Sequence, residues 1–170
     1  MTSQTIYKLI TDLKTKQQYS DFKKQYPDSY LYAVFYSADF SKYPNIDENI
    51  TLDFFLPSEK QAASFTYPFI HNAKIHNEKI ENINKQNTNI NTDINNIEEE
   101  IQNIKNKNKI QKNHNKTIAV LKDNIWNITC INPDMTMLRI NLDAISGKCT
   151  KIQQENLMDF IRFKKGNQNK

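Results

Sequence analysis

The chain has 170 residues, a net charge of +4 and a mean hydropathy of −0.76, with 38% apolar and 25% charged residues. That length suits one ordinary domain or two small ones, and the polarity comes from 23 asparagines, set against 22 isoleucines, rather than from charge. Glycine occurs twice, at Gly147 and Gly166. This excludes glycine-built phosphate cradles of the P-loop or dinucleotide-binding kind, which need several residues without a Cβ near the phosphates.

The N-terminus lacks a basic stretch leading into an apolar core and a small-residue cleavage site, so it does not read as a secretory signal. No window approaches 18 apolar residues, and no membrane span is expected. Two cysteines, Cys130 and Cys149, do not make a disulfide scaffold. A cytoplasmic protein with reduced thiols is therefore the expectation, although a trimmed exported chain fits the same sequence. The basic tail of Arg162, Lys164, Lys165 and Lys170 reads as a solvated terminus, and nucleic acid is not an expected partner.

Residues 1–68 read as a helix followed by strands. Ile6, Ile10, Leu13 and Phe22 fall near helical spacing, closed by Pro27. Tyr30 to Tyr36 is aromatic and β-branched on both faces, the pattern of a central strand. Ile50, Leu52, Phe54 and Leu56 alternate with other residues, and so do Ala63, Phe65 and Tyr67 up to Pro68.

Residues 69–116 contain neither Gly nor internal Pro, and they carry a ladder: Ile80, Ile83, Asn87, Ile90, Ile94, Ile97, Ile101, Ile104, Asn108. The steps alternate three and four, a heptad seam that predicts a helix roughly 70 Å long packed in a coiled coil. Asparagine at the a positions 87 and 108 favours dimers, whereas isoleucine at both a and d favours higher orders, so strand number stays open. A second geometry, a helical hairpin turning at Asn87 to Asn96, fits the Asn- and Thr-rich composition there.

Residues 117–170 return to strands. Trp126, Ile128 and Cys130 alternate, then Leu138, Ile140 and Leu142, with turns at Asn132-Pro133-Asp134 and at Asp143 to Lys148, where Gly147 supplies a positive φ. Leu157, Met158 and Ile161 suggest a closing helix. The order of elements in the first and third regions is alike, so the fold class expected is α+β: two small helix-plus-antiparallel-sheet modules, related by duplication and separated by the long coiled-coil helix. The run Ile140-Asn141-Leu142-Asp143-Ala144-Ile145-Ser146-Gly147, with Trp126 leading an earlier strand, resembles the PepSY domain, whose end is a strand running into Asp-Ala-x-Thr/Ser-Gly. The resemblance covers roughly residues 117–152 and marks Asp143, Ala144, Ser146 and Gly147. It implies a small, often tandem, non-enzymatic unit that binds or restrains peptidases.

Chemistry-bearing residues are sparse. His71, His76 and His114 lack metal-ligand spacing, and the cysteines lack a basic neighbour in sequence. Glu98, Glu99 and Glu100 would fan over about 200° of a helix and face solvent, paired with Lys105, Lys107 and Lys109. Tyr30, Tyr32 and Tyr36 offer either an aromatic recognition face or core packing. No catalytic residue, cofactor or metal is expected. The expected function is a non-catalytic scaffold self-associating, as a dimer or trimer, through the isoleucine seam and meeting an unknown protein or peptide. The alternative is a PepSY-like peptide- or peptidase-binding regulator.

Overall fold

Alternating side chains mark out most of the strands, and the computed structural model, which describes residues 3–81 and 83–156, joins every described strand into one antiparallel sheet. Two short helices come first, α1 (Ile6–Lys14) and α2 (Gln17–Gln25). Thr5 starts α1, its hydroxyl accepting the Lys8 N–H. The chain then runs as a meander through β1 (Tyr30–Asp39), β2 (Asp47–Leu56), β3 (Gln61–Thr66) and the two-residue β4 (Lys74–Ile75). An irregular strap, described over residues 76–81 and 83–93, leads to a 3-10 turn at Ile94–Asn96 and to α3 (Ile97–Lys107). A second meander follows: β5 (Lys116–Lys122), β6 (Ile125–Ile131), β7 (Thr136–Asp143) and β8 (Cys149–Asn156).

The strand order is β4-β3-β2-β1-β5-β6-β7-β8, so the two meanders meet through their first strands. Those strands pair antiparallel from Ala33 opposite Lys122 to Asp39 opposite Lys116. One face of the sheet carries the core. Val34, Tyr36, Leu52, Phe65, Leu121, Trp126, Ile128 and Ile140 are all buried there, together with Ile6, Leu9 and Leu13 of α1. From α2, Phe22 stands 5.1 Å from Phe65 with the rings at 89°, and Tyr19 lies 5.8 Å from Phe54. From α3, Ile97 and Ile101 complete the layer.

Two expectations are corrected here. The α+β arrangement of two modules separated by a long coiled-coil helix gives way to a single eight-stranded sheet carrying three short helices. The coiled coil, and self-association through it, fall with that helix. Of the seam, Ile94, Ile97, Ile101 and Ile104 are buried, but against the sheet rather than against another helix. Ile90 is partly buried on the same core, whereas Ile80 and Ile83 are half-buried in the strap. Asn87 is exposed, and Asn108 is the exposed C-cap of α3.

The physical reason lies upstream of residue 94, where Asn and Thr side chains compete for backbone hydrogen bonds. Asn87 Oδ1 accepts the Asn89 N–H, and Asp93 accepts that of Ile94. The strap instead spends its backbone donors on the sheet's end: Ile80 N–H on Lys60 O, Gln86 N–H on Leu31 O, and Asn91 and Thr92 N–H on Ala144 O. The hairpin alternative therefore fails as well. The closing helix expected at Leu157, Met158 and Ile161 lies outside the described residues.

Helix-on-sheet packing has a measurable signature. Ile101→Ala should lower the unfolding free energy by about 2–5 kcal/mol in urea titration. Ile80→Ala, on the half-buried strap, should cost clearly less; a coiled coil would make the two alike.

Candidate functional site

A helix packed on a sheet buries a broader stripe than a coiled-coil seam does. In α3 that stripe takes in the residues following Ile97 and Ile104, namely Glu98 and Lys105, which are 5% and 2% exposed. Both are therefore buried rather than solvated, contrary to the fan of exposed glutamates expected from sequence. They meet at His114, in the connection leading to β5. Glu98 Oε2 lies 3.0 Å from His114 Nε2, and Lys105 Nζ lies 2.7 Å from His114 Nδ1 and 3.0 Å from Lys112 O.

An ammonium has donors only, so His114 Nδ1 accepts from Lys105 and Nε2 carries the proton given to Glu98. Burial pushes the Lys105 ammonium pKa down, opposed by the fields of Cys130 and Glu98. Cys130, in the same interior, has its thiol pushed up to about 12, chiefly by burial. It stays protonated although Lys105 acts on it, so it is no thiolate nucleophile. Phe40 stands edge-on to His114 at 5.8 Å. A depression of about 270 Å³ opens here, lined by Phe40, Glu98, Glu99, Gln102, Asn113 and His114.

A second polar set sits across β2 and β3. Ser64 Oγ donates to Asp53 Oδ1 at 2.5 Å, and His76 Nε2 lies 2.7 Å from the same Oγ. The serine's one proton goes to the carboxylate, so the imidazole donates to the serine oxygen. This ordering is the reverse of an activated serine, whose base must accept its proton. Burial raises the Asp53 pKa.

Among the described residues, nothing covers the opposite face of the sheet over most of its width. Thr51, Phe35, Val120, Asn127, Asn141 and Lys151 form one row in register. The next row is Asn49, Ser37, Ile118, Thr129, Arg139 and Gln153. Phe35, Ile118 and Val120 are half-exposed at the centre, with polar side chains around them. A groove of about 510 Å³ runs past Phe35, Ser37, Asn49 and Ile118 to the Asp39–Lys116 ion pair at 3.2 Å. At the other end the strap closes the face, where Tyr30 donates its hydroxyl to Ile83 O and packs on Phe55. The three strand tyrosines therefore make no common surface. Tyr36 points into the core at 1% exposure, and Tyr30 and Tyr32 are half-buried on the other side.

The PepSY-like turn is a clamp. Asp143 Oδ1 accepts the N–H groups of Ile145 and Ser146 and the Ser146 hydroxyl, at 3.0, 2.7 and 3.0 Å. Ala144, fully buried, donates to Asn124 O and takes both strap donors on its carbonyl. Gly147 has φ +70°. Cys130 and Cys149 are on β6 and β8, which are not adjacent, and both are free. Among the described residues no group of three metal-ligating side chains gathers, and no helix is long and apolar enough to cross a membrane.

No family model matches the chain, and neither does any curated protein. Among solved structures, the crystal structure of a Clostridium difficile 630 protein provisionally described as a lipoprotein is similar, at 14% identity and a TM-score of 0.49. The alignment covers 81% of this chain and 90% of that one.

Gly147→Ala places a Cβ in ordinary contact with Thr92 Oγ1, so its cost is conformational, and the variant should lose about 1–2 kcal/mol in thermal unfolding. Hydrogen bonds from Ser41, with Lys116 beside it, hold the Asp39 carboxyl at about 2, against about 3.9 for a free aspartate. A depressed carboxylate stabilises the fold above the unfolded value and loses that contribution as the pH falls through the folded one. Asp39→Asn should therefore flatten the decline in melting temperature between about pH 4 and pH 2.

Proposed function

We propose that this chain is a non-catalytic binding module that presents the uncovered face of its sheet to a folded protein partner. The observation carrying this reading is that face itself: apolar Phe35, Ile118 and Val120 at the centre, half-exposed, with Ser, Thr, Asn and charged side chains around them. An apolar centre and polar rim is the anatomy of a protein interface. Size argues for a folded partner rather than a small ligand. Six strands at about 4.8 Å spacing, over two open rows about 7 Å apart, make a surface of roughly 30 by 14 Å. That is on the order of 400 Å², about half of the ~800 Å² each partner brings to a standard interface. A β-sheet core with paired registers also holds the surface rigid, which limits the ordering cost of binding.

Self-association through a coil is withdrawn along with the coil. The binding reading agrees with what the PepSY resemblance implies for residues 117–152, and a peptidase is one partner of the right kind. A cytoplasmic location is part of the proposal, supported by the two free thiols.

The test uses phage-displayed domains from the host's own genome as probe, selected on the immobilised full chain. Enriched domains should lose binding to an Ile118→Glu/Val120→Glu variant of unchanged fold by circular dichroism and keep it on Tyr7→Ala, which alters the helix side. Failure to enrich any domain, or domains that bind the sheet variant as well as the parent, would overturn the reading.

A further inference from the structure

We propose that the depression between α3 and the end of β1 is a binding site for a primary ammonium group. The argument starts from Glu98. Its side chain is 6% exposed, and Oε2 is occupied by the His114 N–H, yet Oε1 is buried with no hydrogen-bond partner among the described residues. Glu98 stands in the first turn of α3. A buried acceptor without a partner calls for a donor.

The nearby interior donor spends two of its three N–H groups elsewhere. Lys105 spends hydrogen bonds on His114 Nδ1 and Lys112 O, and the imidazole separates its ammonium from Glu98 Oε2. A further donor can arrive from the depression that Glu98 lines. The remaining walls agree on what that donor is. Glu99 adds a second carboxylate, Gln102 and Asn113 add amide oxygens, and Phe40 adds an aromatic ring of the kind that attracts cations. Among the described residues, neither lysine nor arginine lines the depression. A set of acceptors and a π-system with no cation of its own fits a positively charged donor, and an alkylammonium supplies three N–H groups on a narrow stem. About 270 Å³ accommodates such a group, since a cavity of roughly 150 Å³ already holds benzene. The site is on the helix side of the sheet, away from the uncovered face, so it stands or falls independently of the proposed partner surface.

The experiment is a titration of the full chain followed by ring proton shifts of His114 and Phe40 in NMR. The probes are n-butylammonium chloride, for a free amine, and Nα-acetyl-lysine amide, for a lysine side chain offered by a polypeptide; sodium chloride serves at matched ionic strength. Saturable shifts with either amine at millimolar concentration, absent with sodium, are expected. Glu98→Gln should weaken them at least tenfold, and Phe40→Leu several-fold. Saturation by n-butylammonium alone assigns a free amine, and saturation by the lysine amide as well assigns an amine on a chain. Shifts equal to those from sodium, or no saturation, overturn the proposal, as does unchanged affinity in Glu98→Gln. Should Glu98→Gln fail to fold, unchanged affinity in Phe40→Leu overturns it.

Discussion

The antiparallel ladder between β1 and β5 is the constraint on which the rest of the structure hangs. It joins residues 33–39 to residues 116–122, far apart in the chain, and in doing so fuses two meanders that would otherwise be separate four-stranded sheets. Its central pairs set both faces at once. Tyr36 opposite Ala119 sits in the core, a large side chain beside a small one, while Phe35 opposite Val120 takes the middle of the uncovered face. The ladder also reaches the ammonium-site region. One step beyond its end, the Phe40 N–H donates to Asn115 O at 2.7 Å, which fixes the Phe40 ring beside His114.

Closing so long a loop has an entropic cost that grows slowly with length but must be met before the ladder forms. The strap offsets part of it by bonding along its course. Asp93 is the busiest point: its carboxylate accepts the N–H groups of Ile94 and, across the chain, of Ile6 at the start of α1. Trp126, fully buried in β6, donates its indole N–H to Thr92 O at 2.8 Å. The first helix, the strap and the second meander are thus tied at one corner, and α3 is aimed along the sheet from there.

Much of the strand content was legible because strict alternation survives burial on one face, as in Leu138, Ile140 and Leu142. β5 was not, and the reason is specific. Its core-facing residues are Thr117, Ala119 and Leu121, while Ile118 and Val120 point to the open side, so the larger apolar groups mark the wrong face. The isoleucine seam misled for a different reason. A 3.5-residue stripe records that a helix buries one side, not what it buries it against, and a sheet serves as well as a second helix. Glu98 and Lys105 carried the missing clue. Seven apart and each following a seam isoleucine, they share the edge of the buried stripe, and their partner His114 lies outside the helix altogether, where no spacing rule reaches. The Asp143 turn was legible in full, since Asx and glycine chemistry is local.

The sheet's two ends are unequal. β4 contributes two residues at one edge, whereas β8 is eight residues long and, among the described residues, is ladder-paired along β7 alone. A long edge invites another strand and a very short one does not. Along β8, Lys151 and Glu155 stand two residues either side of Gln153, and Glu155 pairs with Arg139 of β7 at 3.2 Å, so this edge carries charge. The sheet thus blunts its two described edges by different means, one by shortness and the other by charge.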